Sequence, residues 1–197
     1  MGLTDDALMA KVGKPGVHPE GRFFPDTYTY SKGSTDVALL QRAMRAMDKK
    51  LEAAWAARAT DVPLKTADEA LILASIVEKE TGKANDRAEI AAVFANRLRA
   101  GMPLQTDPTV IYGLGAGFSG NLHKRDLQAD TPWNTYLRAG LPPTPIAMPG
   151  KAALLAAVQP ARSRSLYFVS RGDGTSQFSS SLDEHNRAVN KYQRGGQ

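Results

Sequence analysis

The stretch from Ile72 to Gly82, ILASIVEKETG, constrains the fold most, because residues suited to burial run directly into two glutamates and a glycine. On a helix, at about 100° per residue, its large apolar side chains spread over an arc of roughly 140°. Glu80 falls in the middle of this arc, whereas Glu78 points nearly the opposite way, beside Leu71 and above Ala74. The stretch therefore predicts a helix whose apolar stripe ends in a carboxylate.

A carboxylate that lies against aliphatic side chains without a partner is penalised in its charged form. Its pKa rises and it stays protonated near neutrality, as a general acid must. The alternative for Glu80 is a solvated helix-end residue paired with a lysine or arginine, since most charged side chains are exposed. The residues alone leave both interpretations open.

Helix start and stop signals around this stretch predict a largely helical chain. Capping boxes at Thr66–Glu69, Asp86–Glu89 and Ser181–Glu184 predict helix starts. The segments SLYFVS and SQFSSS flank RGDG as a predicted β-hairpin. The predicted fold class is α+β, with helices expected at about residues 35–59, 67–82, 86–101, 151–158 and 181–193.

Two irregular segments complete the predicted organisation. Residues 13–34 are rich in proline, glycine and aromatic side chains, which is typical of an extended, turn-filled arm. Residues 102–150 are predicted to be loop-dominated, and so long an irregular stretch in a compact domain usually forms a binding surface. The chain is therefore divided into an N-terminal extended arm, residues 1–34, and a domain that carries the function, residues 35–197.

Composition and charge narrow the classes of function. A chain of 197 residues that is 42% hydrophobic and 23% charged fits one substantial globular domain. The formal net charge of +5 suggests an anionic partner, such as nucleic acid, an acidic wall polymer or a phospholipid surface. Nucleic-acid binding is not expected, because the basic residues are scattered and form no RNP motif or arginine-rich arm. No apolar run reaches the roughly 18–20 residues that cross a bilayer.

Neither a cofactor nor a metal is expected. The chain has no cysteine, which excludes disulfides and cysteine-ligated metals. His18, His123 and His185 lack the spacing of metal ligands. Phosphate-binding glycine loops and a Gly-x-Ser-x-Gly elbow are absent from the sequence.

Four segments carry a resemblance to a known family: LASIVEKET, VFANRLRAGMPLQTDPTVIYGLG, DTPWNTYLRAGLPPTPIAMPG and LYFVSRGDGTSQFSSSLDEHN. They are similar to the catalytic domain of the YceG-like, membrane-anchored endolytic murein transglycosylases. The resemblance extends from PEGRFFPDTY to NKYQ, which is nearly the whole chain. It implies a mainly helical core like that of goose-type lysozymes and soluble lytic transglycosylases, with a small β-hairpin and long loops that form a cleft.

The resemblance also implies where the parent protein acts. Residues 35–197 correspond to the transglycosylase domain, and residues 1–34 to a remnant that joins it to a LysM-like subdomain. A transmembrane helix would precede that subdomain and anchor the parent protein in the inner membrane, with this domain on the extracytoplasmic side. The implied partner is the glycan strand of peptidoglycan, and the family suggests peptidoglycan synthases as further partners.

The family's reaction needs one carboxylate, which the resemblance places at Glu80. The protonated Glu80 would donate to the oxygen between N-acetylmuramic acid and N-acetylglucosamine, and would then take the proton of the muramic C6 hydroxyl as a 1,6-anhydro ring closes. Two alternatives remain. One is a muramidase that uses water, and the other is a peptidoglycan-binding module without activity, although an intact acid at position 80 argues against the latter.

The resemblance leaves the polar loop residues to hold the glycan. Tyr112, Trp133 and Tyr136 could stack on sugar faces or pack in the core with equal plausibility. Asn134 is favoured among the polar groups, because PWNTY is in a loop with no evident cap to make. Asp107 is expected to fix the QTDPT turn. The predicted substrate-binding residues are Gln105, Thr106, Tyr112, Asn134, Thr135 and Tyr136, and the predicted supporting residues are Glu78, Asp107, His185 and Asn186.

Overall fold

The computed structural model describes residues 2–195, which form seven α-helices and one two-stranded antiparallel sheet. This confirms the α+β class, whereas the likeness to a lysozyme core stays a prediction. Two short 3₁₀ turns lie at Gly115–Gly117 and Asp126–Gln128. The elements are α1 (Asp5–Val12), α2 (Asp36–Ala56), α3 (Ala67–Glu80), α4 (Ala84–Arg99), α5 (Asp107–Leu114), α6 (Lys151–Val158), β1 (Tyr167–Ser170), β2 (Ser176–Ser179) and α7 (Leu182–Tyr192).

Helix α3 is the centre of the main core, because it packs against α2, α4, α5 and α6. Its residues from Leu71 to Val77 are fully buried except Ile72, which is half-buried. The predicted stripe is therefore buried, and burial extends beyond it. The side that carries Leu71 and Ala74 is as buried as the predicted stripe, since helices surround α3 on most of its circumference.

The N-terminal region contains a helix that the sequence analysis did not predict. Helix α1 begins after Thr4, whose side chain accepts a hydrogen bond from the Ala7 amide, and ends at Gly13 with a left-handed φ of 94°. Met9 and Val12 of α1 pack against Met44 of α2 in a small second core. Residues 13–34 have no regular structure, but the first part of the predicted arm is a docked helix. The division of the chain at residue 34 stays a prediction.

Two of the predicted capping boxes give helix starts, and one does not. Thr66 and Ser181 each accept a hydrogen bond from the amide of the glutamate three residues later. The box predicted at Asp86–Glu89 is wrong, because α4 begins at Ala84 and places Asp86 inside its first turn. The carboxylate of Glu89 instead accepts a hydrogen bond of 2.9 Å from the Ser165 hydroxyl.

The predicted C-terminal elements are confirmed. Helix α6 has the predicted bounds, and β1 pairs with β2 in a hairpin in which Phe168 lies opposite Phe178. Helix α7 packs against both strands, and β1 packs against α4. Residues 102–150 are mostly irregular, as predicted, except that they contain α5, which has Pro108 in its first turn. None of the helices described for residues 2–195 is long and apolar enough to cross a membrane.

Candidate active site

Glu80 is the last residue of α3 and opens onto a cleft of about 610 Å³. One wall of the cleft is the loop from Leu104 to Asp107. The other wall consists of β1 and one face of α7. The helix ends here because Thr81, its C-cap residue, takes an extended conformation with φ of −150°, directly before Gly82, the predicted stop. This end places the Glu80 carboxylate between the helical core and the hairpin.

The environment of Glu80 favours its protonated form. The residue is half-buried, and burial is the main cause that raises the pKa of its carboxyl above the ordinary value. The hydroxyl of Thr106 donates a hydrogen bond to Oε1 of Glu80, which lowers this pKa, and the negative charge of Asp107 raises it. The net shift is upward. Glu80 therefore has the electrostatics of a general acid.

The loop that carries Thr106 is held by a second segment of the chain. Gln105 is the one non-glycine residue of the described chain with a positive φ, 51°, and its amide donates to the Thr135 carbonyl at 3.1 Å. The Thr106 amide donates to the Thr135 hydroxyl at 3.1 Å, and that hydroxyl lies 2.8 Å from the hydroxyl of Thr109. Thr106 and Thr135 are both only 2% exposed. That Thr106 and Thr135 bind sugar stays a prediction; the hydrogen bonds observed here hold the loop and reach Glu80.

Arg97 fixes the same loop from the opposite side, and sequence reasoning missed it. Its guanidinium donates to the carbonyls of Leu166 at 2.7 Å, Leu104 at 2.9 Å and Pro103 at 3.2 Å, and to Oε1 of Gln105 at 3.3 Å. Arg97 thus ties α4 to the entry of the hairpin and to the Glu80 loop. The only signal in the sequence was an arginine on the apolar face of a predicted helix.

Tyr136 and Asp107 form a polar pair at the rim of the cleft. The phenol of Tyr136 donates to Oδ1 of Asp107 at 2.6 Å. Burial, followed by this hydrogen bond and the charge of Asp107, raises the pKa of Tyr136, so the phenol remains a donor. Among the predicted binding residues, Tyr136 and Gln105 line the cleft with side chains that a ligand could reach.

Asn134 is not among the residues that line the cleft, and its role in binding sugar stays a prediction. Its side chain is fully buried, its amide donates to the carbonyls of Leu127 at 3.0 Å and Ala129 at 2.8 Å, and its Oδ1 accepts from the Tyr136 amide at 2.9 Å. All of its main hydrogen-bonding capacity is therefore used inside the loop. These partners could not be predicted, because they lie in irregular segments and a short 3₁₀ turn that have no periodic pattern.

Two of the predicted aromatic residues lie with the core rather than in the cleft. The rings of Tyr112 and Trp133 pack edge to face with centroids 5.4 Å apart, against the main core. The Trp133 indole donates to the Thr144 hydroxyl at 2.9 Å. Of the two alternatives left open for Tyr112 and Trp133, sugar stacking and core packing, the structure shows core packing.

The remaining predicted residues separate into those near the cleft and those away from it. Glu78 accepts a hydrogen bond of 3.0 Å from the amide of Gly150, the residue before α6, so it joins two helices. His185 lines the cleft and stacks on Tyr167 with ring centroids 5.2 Å apart; burial and then Arg97 lower its pKa. Asn186 is exposed and does not line the cleft.

Helix α7 supplies cleft residues that were not predicted. Leu182 and Val189 lie on the same face as His185, at helical spacing, and all three line the cleft. This periodicity was visible in the sequence, but it could not be assigned to the cleft without the packing of α7 on the hairpin. Within residues 2–195, no three histidine, aspartate or glutamate side chains converge as metal ligands would. What the cleft offers is proton transfer by Glu80 and hydrogen bonding at its rim.

Comparisons with known proteins place the chain among related sequences and structures. A curated endolytic murein transglycosylase from Bacillus subtilis is 39% identical over 178 residues, which are 89% of this chain and 48% of that protein. One from Streptococcus pneumoniae is 34% identical over 177 residues, 86% of this chain and 31% of that protein. The crystal structure of a YceG-like protein from Listeria monocytogenes superposes with a TM-score of 0.76 at 37% identity, over 90% of this chain and 58% of that one.

The chain thus spans about half, or less, of the length of these curated relatives. The sequence model described as the YceG-like family matches residues 3–191, nearly the whole chain. The resemblance that the sequence motifs indicated is therefore confirmed. The chain belongs to the YceG-like family.

Proposed function

We propose that this chain is the catalytic domain of an endolytic lytic transglycosylase that cleaves peptidoglycan between N-acetylmuramic acid and N-acetylglucosamine. The observation that carries the proposal is the half-buried carboxyl of Glu80, whose pKa is raised and which opens onto a cleft. The names of the relatives support the substrate and the reaction class. The proposed role is the termination of glycan strands during cell-wall assembly.

The proposed reaction uses Glu80 twice. Protonated Glu80 gives its proton to the glycosidic oxygen as the bond from that oxygen to C1 of the muramic residue breaks. The resulting carboxylate accepts the proton of the muramic C6 hydroxyl, and O6 bonds to C1 to close a 1,6-anhydro ring. The two transfers leave Glu80 protonated again. The reaction therefore needs no second carboxylate and consumes no water.

The neighbours of Glu80 suit this double duty. The Thr106 hydroxyl stabilises the ionised state that follows the first transfer, because it donates to the carboxylate. Burial and the charge of Asp107 favour the protonated state that precedes it. Opposing influences of this kind keep both protonation states accessible during one turnover. Tyr136 and Gln105 at the rim are proposed to hydrogen-bond the sugars.

A muramidase that uses water is the second candidate, and one observation favours it. Asp107 lines the same cleft and acts electrostatically on Glu80, so a second carboxylate is present. Hydrolysis with inversion would need such a base to activate water. The products separate the two reactions, since hydrolysis leaves a reducing end and the transglycosylase leaves an anhydro end. A binding module without activity would give neither.

The proposal for the parent protein rests on the family resemblance alone. It comprises a lysozyme-like core, an inner-membrane anchor, an extracytoplasmic position for this domain, a LysM-like subdomain and peptidoglycan synthases as partners. Each can be tested separately from the reaction.

The test is mass spectrometry of products from purified sacculi incubated with the wild type, Glu80→Gln and Glu78→Gln. The Glu78 variant is the matched control, because it makes the same change on the same helix at a residue that contacts Gly150 instead of the cleft. We expect internal fragments with 1,6-anhydro ends from the wild type and from the control, and a rate lowered about 10²–10⁴-fold in Glu80→Gln. Reducing ends would assign the chain as a hydrolase. Equal activity of Glu80→Gln and the wild type would refute the role of Glu80.

A further inference from the structure

A second concave surface lies on the opposite side of the cleft wall that β1 and α7 form. This groove has a volume of about 600 Å³ and is lined by β2, by the segment 163–165 and by α7. Helix α7 contributes Arg187 and Lys191 to the groove, whereas it contributes His185 and Val189 to the cleft. The cleft and the groove are therefore separated by the thickness of one helix and a hairpin.

The groove is rich in positive charge that has no partner within the described residues. Arg164, Arg187 and Lys191 are exposed, and none of them is within ion-pair distance of a carboxylate in residues 2–195. Arg187 and Lys191 are four residues apart on α7, a spacing at which like charges destabilise a helix. Arg164 adds a third cation from a separate segment.

The two acidic residues in the groove are engaged elsewhere. Glu184 accepts hydrogen bonds from the amide and the hydroxyl of Ser180, both at 2.9 Å, which lower its pKa, and it completes the N-terminal cap of α7. Glu89 accepts from the hydroxyl of Ser165. The groove is thus lined by three cations and two carboxylates, and neither carboxylate is within ion-pair distance of a cation in the described part of the chain. A further cavity of about 680 Å³ shares Arg164 with the groove and adds Arg162, so the basic surface continues beyond α7.

We propose that this groove binds the free carboxylates of the short acidic peptide that branches from the muramic residue of a glycan in the cleft. The proposal rests on the proposed function, because it takes the glycan as the occupant of the cleft. Arginine and lysine side chains are suited to carboxylates through charge-assisted hydrogen bonds. The ring of Tyr192, with the Lys191 ammonium 5.0 Å from its centroid, provides apolar surface for the body of the peptide.

The dimensions allow this arrangement. A helix with its side chains is about 10–12 Å across. An extended peptide of about four residues spans roughly 13 Å. Tyr192 lines the groove and its neighbour Gln193 lines the cleft, so the two surfaces meet where α7 ends, and a peptide attached to a sugar in the cleft can reach the groove around that end. A phosphate-bearing wall polymer would also be attracted by the cations, but the shared α7 wall favours the peptide that branches directly from the occupant of the cleft.

The test compares the binding of two forms of the same glycan strands, one with its peptides and one from which an amidase has removed them. Fluorescence anisotropy is recorded for the wild type and for Arg187→Gln/Lys191→Gln. We expect the wild type to prefer the peptide-bearing strands, and the double variant to lose about three- to tenfold of that preference, the range for two exposed charge contacts. Arg164→Gln, in a separate segment, should reduce the preference as well, and it remains informative if the double variant is unfolded.

The matched control is Arg45→Gln/Lys49→Gln. It removes one exposed arginine and one exposed lysine at the same spacing from α2, which does not border the groove, and we expect it to keep the wild-type preference. In the same assay, released stem peptides and a glycerol-phosphate polymer are compared as competitors of the bound strands. The proposal is overturned if the wild type has no preference for peptide-bearing strands, or if the groove variants bind both kinds of strand equally more weakly. It is also overturned if the glycerol-phosphate polymer displaces the strands more effectively than the stem peptides do. Because binding is measured, a failure of the groove is distinguishable from a failure of the proposed reaction, which only the products report.

Discussion

The hydroxyl of Thr106 donates a hydrogen bond to the carboxylate of Glu80 and so joins two segments that are 26 residues apart in the chain. Thr106 is buried, and its own position is set by Thr135. The acid is thus oriented through a chain of contacts that passes from the 134–136 loop to the 104–107 loop and then to α3. The predictions below test this chain and its electrostatic consequences.

Replacing Thr106 with valine removes the hydrogen bond that lowers the pKa of Glu80. The pKa then rises further, so the fall in activity at alkaline pH, where Glu80 loses its proton, is expected to move to higher pH. The maximal rate should fall roughly five- to tenfold, because a hydrogen bond of about 1 kcal/mol no longer holds the carboxyl. The pH profile of kcat measures both effects. Thr106→Ser keeps the hydroxyl and should stay close to the wild type; a profile shifted equally in both variants would contradict the explanation.

Replacing Asp107 with asparagine should shift the same profile in the opposite direction. The charge of Asp107 raises the pKa of Glu80, so its removal lowers that pKa and moves the alkaline limb to lower pH. Asparagine can still accept from the Tyr136 phenol, and the site is exposed, so stability should change by less than about 0.5 kcal/mol. Asp130→Asn removes an exposed carboxylate that pairs with Arg138 and provides the control. An unshifted limb in Asp107→Asn would show that the two carboxyls do not interact.

Glu80→Gln is expected to be more stable than the wild type at neutral pH. Burial raises the folded-state pKa of Glu80 above its ordinary value of 4.5, so the folded protein binds this proton more tightly than the unfolded chain. Stability is therefore lost as pH rises through the window between the unfolded and the folded pKa, and the loss is complete above the folded pKa.

Glutamine cannot ionise, so the stability advantage of the variant should shrink when the pH is brought below 4.5. Urea denaturation of both proteins at neutral and acidic pH measures the difference in the free energy of unfolding. The same difference at both pH values would argue against a raised pKa.

Arg97→Lys should both destabilise the protein and shift the position of the Glu80 carboxyl. Lysine cannot reproduce the planar fork that reaches the Leu166, Leu104 and Pro103 carbonyls, and we expect a loss of about 2–3 kcal/mol in the free energy of unfolding. Because the Pro103 and Leu104 carbonyls belong to the loop before Thr106, the alkaline limb of the pH profile should move to higher pH, as in Thr106→Val.

Arg99→Lys is the matched control for Arg97, since Arg99 lies two residues away on α4 and is exposed. Its loss of stability should stay below about 1 kcal/mol. A destabilised Arg97→Lys with an unchanged pH profile would mean that Arg97 supports the fold without positioning the acid.

The features that could be predicted from the sequence are those that depend on near neighbours in the chain. The capping box at Ser181 forms because Ser181 and Glu184 are three residues apart and need no other partner. The same pattern failed at Asp86–Glu89, because α4 begins two residues earlier, at Ala84, and the Glu89 carboxylate is bound by Ser165, 76 residues away. The prediction that Glu80 is a half-buried acid agrees with its exposure, although burial on α3 extends beyond the stripe from which it was argued.

The polar groups of the loops were the least predictable part of the candidate site. Asn134, Thr135 and Thr106 have the residue types that bind sugars, and they also have the types that bind backbone amides and carbonyls. Whether they bind a sugar or the backbone depends on how two irregular segments approach each other. The periodicity of the sequence carries no information on that approach. Arg97 was missed for the same reason, since its acceptors are carbonyls of the irregular loop that follows α4 and of Leu166, 69 residues away.

The wall formed by the hairpin and α7 has a consequence for motion. A two-stranded sheet is marginally stable by itself, and this one is attached to the helical core mainly through β1 and α4, where the rings of Phe94 and Phe168 meet edge to face at 6.0 Å. Amide protons of β2 and α7 should therefore exchange with solvent at a lower opening free energy than those of α3. A long polymer that has no free end near the cleft could then enter from the side, as this wall swings away from a core that remains folded.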